Sequence, residues 1–495
     1  ITRQAGITHS YRENEFNDFK YQVLLPHKMS QEGPAVAVAD VNGDNLDDFY
    51  IGGAKGFAGK LFIQKTNGTF RESNAPWAAD TDSEDAGAVF FDANGNGHPD
   101  LYVVSGGYEF TGENPALQDR LYLNDGQGNF SKAKDALPQF LVSGSCVVPS
   151  DFDKDGDIDL FVGGRQVPDQ YPLPAKSVLL RNDGGKFTDV TAKLAPQLEN
   201  PGMVTAAEWS DVDGDGRQDL IIVGEWMPVT IFKNSKNGFT NISEEVLPEK
   251  TNGWYFSLLA ADVDQDGDQD LITGNLGLNH RYQASKDSPF EIYAADFDSN
   301  GDIDPVLAYH YDNRLFPFEG RNKLFDQMTM IKRQFTDYQS FAEATMQQIF
   351  GQAALDSAYN LKTYDFASKI FVNDGTGKFT SVRQLPNLAQ IAPVNTMIYA
   401  DINQDGTNDL LIAGNLYETE HQTPRIDAGK GWFLQGTGSE FQVIPNHESG
   451  LNLQGAVKHI RLIRMANGQK GLLVVRNNDK TNLIKINSPA QVTGL

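Results

Sequence analysis

The sequence predicts an all-β chain closed into a β-propeller of eight repeat units, and three observations point there. A nine-residue acidic frame recurs seven times, with its first aspartates at 40, 92, 151, 211, 262, 296 and 401. Most copies stand about 50 to 60 residues apart, the length of a four-stranded blade rather than of a solenoid repeat. Short apolar runs flank the frames, and 47 glycines in 495 residues suit many strands joined by tight turns.

The frame is clearest at 211–224, which reads D-V-D-G-D-G-R-Q-D-L-I-I-V-G. Carboxylates at first, third, fifth and ninth positions repel one another unless a cation sits among them. Hard oxygen ligands at alternating positions, with a glycine at the sixth where the backbone turns, match what Ca²⁺ demands. No glutamate stands at the twelfth position and no amphipathic helix follows. The apolar run Leu220 to Val223 reads as a strand, which puts the loop at the tip of a β-hairpin.

Each copy yields four side-chain ligands, and the backbone carbonyl of its seventh residue completes the shell. The sets are Asp40, Asn42, Asp44 and Asp48 with Leu46; Asp92, Asn94, Asn96 and Asp100 with His98; and Asp151, Asp153, Asp155 and Asp159 with Asp157. They continue with Asp211, Asp213, Asp215 and Asp219 with Arg217, and Asp262, Asp264, Asp266 and Asp270 with Asp268. The last two are Asp296, Asp298, Asn300 and Asp304 with Asp302, and Asp401, Asn403, Asp405 and Asp409 with Thr407. About seven Ca²⁺ ions are therefore expected, one bracing each unit.

Taken in order, a unit reads as an inner strand, the acidic loop, a second strand, a variable connection, a third strand, a tight turn and an outer strand. Asn-Asp-Gly turns ending on Phe130, Phe187 and Phe379 are strong hairpin signals, and each Phe reads as core. Only 34 residues separate Asp262 from Asp296, so that unit is expected to lack its outer part. Residues 313–368 break the β pattern: Leu324, Ile331 and Phe335, then Tyr338, Phe341 and Ile349, fall at helical spacing, and Thr336 with Gln339 fits a capping box. This is read as a helical insertion between a second and a third strand. The propeller then comprises 1–312 and 369–495. A last unit keeps its hairpin at 460–475 but has no carboxylate at 464–468, so seven of eight units carry a loop. The segment around 6–11 is free to supply that unit's missing outer strand and close the ring, which removes exposed sheet edges. Eight blades are expected, or seven if the shortened unit is absorbed.

The net charge of −25 with no basic stripe speaks against nucleic acid. No stretch approaches the ~20 apolar residues of a membrane span. The single cysteine, Cys146, excludes an intrachain disulfide. Ile1 in place of an initiator methionine, with no signal peptide, reads as a processed piece. Loops of this type fill at extracellular calcium levels, so an extracellular or bacterial cell-surface address is expected.

These loops, with their hairpin strands and N-D-G-x-G-x-F turns, resemble the FG-GAP or VCBS repeats of integrin alpha-subunit propellers. Gly163-Gly164-Arg165, the run 224–228, the run 274–277 and the segment 289–305 are similar to the large VCBS-repeat proteins exported by Bacteroidetes-type bacteria. The resemblance implies fold, calcium and export, and it leaves activity open.

For function, the acidic loops occupy one face, so the variable connections emerge on the other. There Arg165, Tyr171, Trp226, Trp254, His280, Arg281 and Trp432 are candidate ligand contacts, since flat rings stack on sugars and Arg holds carboxylates bidentately. The expected role is a binding or scaffold module for a glycan or protein partner, as part of a larger surface protein or assembly. No GxSxG, HExxH or GxxxxGK[ST] motif is present. A polysaccharide lyase or hydrolase built from dispersed Arg165, Tyr171, His280, Arg281 and His421 is the alternative.

Overall fold

Each repeat folds as a four-stranded antiparallel meander, because the acidic loop turns the chain back on itself and the N-D-G turn does so again. In the fourth repeat the strands are Met203–Ser210, Asp219–Met227, Thr230–Ser235 and Gly238–Asn241. The second strand carries the apolar run Leu220 to Val223 between the carboxylates of Asp219 and Glu225, and every residue in it is buried, since neighbouring blades cover both its faces. Outer strands read as one buried Phe followed by exposed polar residues, as in Phe187–Asp189. This computed structural model describes residues 1–73, 76–466 and 468–487.

The ring holds seven blades. Its inner strands are Val36–Ala39, Glu84–Phe91, Gly144–Ser150, Met203–Ser210, Gly253–Ala261, Thr396–Ala400 and Val457–Arg464. Each touches the next, and the seventh returns to the first. The seventh sheet has three strands of its own. The N-terminal segment lies against its edge: Ser10 bridges Lys480, Thr481 N–H donates to the His9 carbonyl at 3.1 Å, and Tyr11 N–H donates to that of Asp479 at 3.0 Å. Of the two ring sizes read from the repeats, the smaller is found.

The expected shortened unit corrects to a complete blade with an insertion. Blade five runs Gly253–Ala261, Asp270–Asn275, Lys369–Asn373 and Phe379–Gln384, so its last two strands follow a 93-residue excursion, 276–368. That excursion holds the Asp296 repeat on a separate sheet, ordered Arg314–Pro317, Asp304–Tyr311, Phe290–Ala295 and Tyr359–Thr363. The insertion thus begins at 276 rather than 313. Repeat spacing reports hairpins and does not tell a blade from an appended sheet.

Five short helices, Arg321–Gln327 through Gln352–Ser357, join two strands of the inserted sheet. Leu324, Ile331, Phe335, Phe341 and Ile349 pack on its Val306 and Ala308, as their spacing predicts. The capping box lies at Thr345 and Gln348 instead of Thr336 and Gln339, because Asp337 takes the cap of the preceding helix by accepting from Ser340 N–H. The other sheet face, through Phe290, Ile292 and Leu307, packs on Trp226 and Trp254 of the propeller and on Tyr282 of the excursion itself.

Candidate functional site

All seven acidic loops share one backbone path. The first aspartate accepts N–H groups from four and five residues on; for Asp211 these are Asp215 at 3.0 Å and Gly216 at 2.7 Å. Fourth and sixth positions take positive φ throughout, at Gly214 (71°) and Gly216 (82°) and equally at Gln265 (63°) and Gly267 (100°). Glycine fits those angles best, which accounts for its frequency at the sixth position. The first loop instead has Asn45 there, at 65°. The N–H of each predicted seventh residue, Leu46, His98, Asp157, Arg217, Asp268, Asp302 and Thr407, donates to the fifth side chain.

The ninth aspartate is fully buried in every loop. Asp219 accepts Val212 N–H at 3.2 Å on one oxygen and Asn234 N–H, from the third strand, at 2.7 Å on the other. It therefore ties loop to blade. Burial, together with the neighbouring carboxylates, pushes Asp48, Asp159 and Asp219 up to about 7. A cation would offset that cost.

Four loops bring three carboxylates within 4.8 Å of one another: Asp151, Asp153 and Asp159; Asp211, Asp213 and Asp219; Asp262, Asp264 and Asp270; Asp296, Asp298 and Asp304. One oxygen each of Asp264 and Asp298 is buried without a hydrogen-bond partner. In the 211 loop the Lys233 ammonium meets Asp213 and stands 3.7 Å from Asp215, a side-chain cation where the carboxylates converge. These donors fit a hard divalent ion. The remaining loops carry Asn42, Asn94 and Asn403 at the third position, which takes one carboxylate from the first, third and ninth set, and the 92 loop has Asn96 at the fifth as well.

The loops do not all share a face. Six sit at the turn between inner and second strands of ring blades, whereas the Asp296 loop rides on the insertion. Its Ile303 carbonyl accepts from Gln22 Nε2 at 2.9 Å, and Gln22 also reaches the Tyr171 carbonyl among the variable connections.

On that opposite side, four of the candidate contacts meet in one buried network. Glu225 accepts from Tyr171 Oη and from Arg165 Nη2, each at 2.5 Å, and lies 3.3 Å from His27 Nε2. Burial alone would raise the Glu225 carboxyl, but His27 and Arg165 outweigh it and hold the group well below the usual carboxylate range. Arg165 Nε also donates to Glu32 at 3.1 Å. Trp226 donates to Tyr171 Oη at 2.6 Å and packs edge-on to Trp254. Arg165, Tyr171, Trp226 and Trp254 are at most 2% exposed, so the inserted sheet and the segment around His27 cover them.

His280 is held beside them, its Nε2 2.8 Å from the Gly277 carbonyl, and burial lowers its pKa to about 4. Arg281 is exposed over the Phe318 ring. Trp432 stands apart, half-buried between blades five and six. Sequence reasoning missed Glu225, His27 and Glu32. Glu225 lay inside the run 224–228 that had been singled out, while His27 and Glu32 precede the first repeat and carried no signal.

A cavity of about 120 Å³ opens beside this network and is lined by residues of several inner strands, including Ser145, Thr205, Phe256 and Lys458. Thr205, Phe256 and Lys458 each sit at a β-bulge of their inner strand, which turns an extra residue off the ladder.

Residues 40–103 and 211–273 match the FG-GAP-like repeat. No curated protein matches the sequence. Similar solved structures include a lectin of Agrocybe aegerita that recognises non-reducing terminal N-acetylglucosamine, at 13% identity over 94% of this chain and 93% of that one, TM-score 0.43. The V. cholerae biofilm matrix protein Bap1 is 10% identical over 97% and 90%, TM-score 0.41. Sqt1 of Saccharomyces cerevisiae is 9% identical over 97% and 100%, TM-score 0.43. These likenesses say nothing of what this chain binds.

Proposed function

We propose that the chain is an exported, calcium-stabilised propeller that acts as a binding or scaffold module for a glycan or protein partner, engaged on the side opposite the six ring loops. The observation that supports it is the division of labour between the two faces. One face spends its residues on repeated carboxylate loops that brace blades, while the other gathers every long connection and the inserted sheet. About seven Ca²⁺ ions are assigned, on the residues named above, since all seven loops share one backbone path. A bound ion supplies the positive charge that lets these carboxylates stay ionised side by side. Among the described residues no helix is long and apolar enough to cross a membrane. An extracellular or bacterial cell-surface location, as in proteins exported by Bacteroidetes-type bacteria, suits the affinity expected of such loops.

The test is a glycan array and a pull-down with purified candidate surface proteins, each with and without chelator, beside a lyase absorbance assay. Retention of one partner that is lost on chelation supports the reading. Turnover of a polysaccharide, or no partner in either format, rejects it.

A further inference from the structure

We propose that the overhanging face of the inserted sheet binds an acidic polysaccharide, one rich in uronic acids; this rests on the binding-module reading above. The face is only half used. Along its second strand Leu307 packs into the core shared with Trp226 and Trp254, while Tyr309 and Tyr311, on the same side by strand alternation, are 37% and 70% exposed. On the edge strand, Phe316 stands opposite Tyr309 and Arg314 opposite Tyr311, so these four share the face.

The row is continuous. Tyr309 and Phe316 have ring centroids 6.1 Å apart at 35°, and Tyr309 meets Phe318 at 6.2 Å. Arg281 lies 4.1 Å over Phe318 at one end, and Arg314 lies 4.8 Å over Phe316 at the other. This row of rings, with Tyr309 and Tyr311 exposed and Phe316 and Phe318 half-buried, offers flat apolar surfaces to the C–H faces of successive sugars.

The arginines select among sugars. Among the described residues Arg314 donates to the Glu343 carbonyl and has no carboxylate within 4.0 Å. Arg281 lies 3.8 Å from Glu420, whose carboxylate Lys323 already holds at 3.1 Å. Asp312 sits in the turn beyond Tyr311. In a chain of net charge −25, two guanidinium groups framing an aromatic row complement an anion, and their planar fork fits a carboxylate. A uronate chain presents both surfaces at once.

The experiment is titration calorimetry of the full chain, in constant calcium, with oligomers of hyaluronate, polygalacturonate and alginate and with their carboxyl-reduced forms. At least one acidic oligomer binds, and its carboxyl-reduced form binds at least tenfold more weakly. Tyr311→Ala and Arg314→Gln, both exposed, each weaken binding at least tenfold, and Arg314→Gln also reduces its salt dependence. Lys65→Gln, an exposed change elsewhere, leaves it unchanged. Undiminished binding by the Tyr311→Ala/Arg314→Gln double variant overturns this site while the binding-module reading stands. Failure of every acidic oligomer, with a purified protein partner retained, also overturns the proposal and leaves the protein arm of that reading. Failure of both sinks the reading itself.

Discussion

Asn373 Nδ2 donates to the carbonyl of Val212 at 2.9 Å, across 161 residues of chain, and so fastens blade five to the acidic loop of blade four. The same amide reaches the Gln269 carbonyl at 3.3 Å, and the Asn373 N–H donates to Asp270. The device recurs at the three preceding seams: Asn124 to Val41 at 2.8 Å, Asn182 to Ala93 at 2.9 Å and Asn234 to Phe152 at 2.8 Å. Each asparagine reads the acidic loop of the blade before it.

Replacing Asn373 with Ala leaves two buried carbonyls without their donor. The expected loss is about 2–6 kcal/mol, at ~1–3 kcal/mol for each unmet group. A lower denaturation midpoint with unchanged native circular dichroism checks this. An unchanged midpoint would mean water replaces the amide and the strap carries little.

The propeller and its loops were legible because each repeat encodes its own hairpins locally. Phe130, Phe187 and Phe379 were correctly placed in the core from their turns alone. The asparagines were legible only as turn residues, since their partners lie in another blade. The 276–368 excursion was hidden for a related reason: the Asp296 loop is as good a repeat as any, and what excludes it from the ring is that Asn373 pairs with Asp270 across it. The ligand face was harder still. Trp226 and Trp254 read as a platform, yet the inserted sheet covers them, and the exposed rings belong to Tyr309 and Tyr311.

Calcium removal is expected to destabilise the ring in steps. A site on native protein alone adds about 2.7 kcal/mol at a hundredfold excess of ion over Kd, so several sites together dominate the margin. Calorimetric titration of chelated protein should count about seven ions, and Asp264→Asn should lower the count by one while the thermal midpoint falls. A count unaffected by Asp264→Asn would remove that loop from the set.

Glu13 carries a pH dependence of its own. Burial is the main cause that raises its pKa, to about 8, and Glu109 adds to it, against Lys458 and hydrogen bonds from Tyr11 and Gly33 that lower it. A carboxyl whose folded pKa lies above its unfolded value holds its proton more tightly when folded. Its stabilisation is complete below the unfolded pKa and is lost as pH rises through about 8. The wild-type midpoint, measured against Glu13→Gln at constant calcium, should therefore decline between pH 5 and pH 8 by more than the variant's. Parallel curves would show that Glu13 titrates normally.

The insertion is pinned by charge. Lys323, 2% exposed, stands 3.1 Å from both Glu319 and Glu420, the first on the insertion and the second in the long connection of blade six. Lys323→Met takes the buried cation from two carboxylates, a loss of about 3–5 kcal/mol where one partner of a buried set is removed. The cost falls on the insertion's docking, so limited proteolysis should cut within 321–357 while the ring survives. Protection equal to wild type would mean that the apolar contacts of Trp226 and Trp254 with Phe290 suffice.

Blade seven carries no acidic loop, and at its seam with blade one two contacts of different worth replace it. Arg464 pairs with Asp47 at 3.0 Å, but its side chain is 56% exposed. Gln64, 1% exposed, donates to the carbonyls of Asp47 and Arg464, each at 2.9 Å, and accepts from Ala466 N–H at 2.9 Å. The turn's Asn467 lies outside the described residues. Exposed ion pairs contribute about 0–1 kcal/mol, whereas removing a buried amide leaves three backbone groups unmet at ~1–3 kcal/mol each. Gln64→Ala should therefore lower the unfolding midpoint severalfold more than Arg464→Ala, and high salt should erase only the Arg464 effect. The reverse order would place the ring's closure on surface charge instead of on a buried amide like those that join blades one to five.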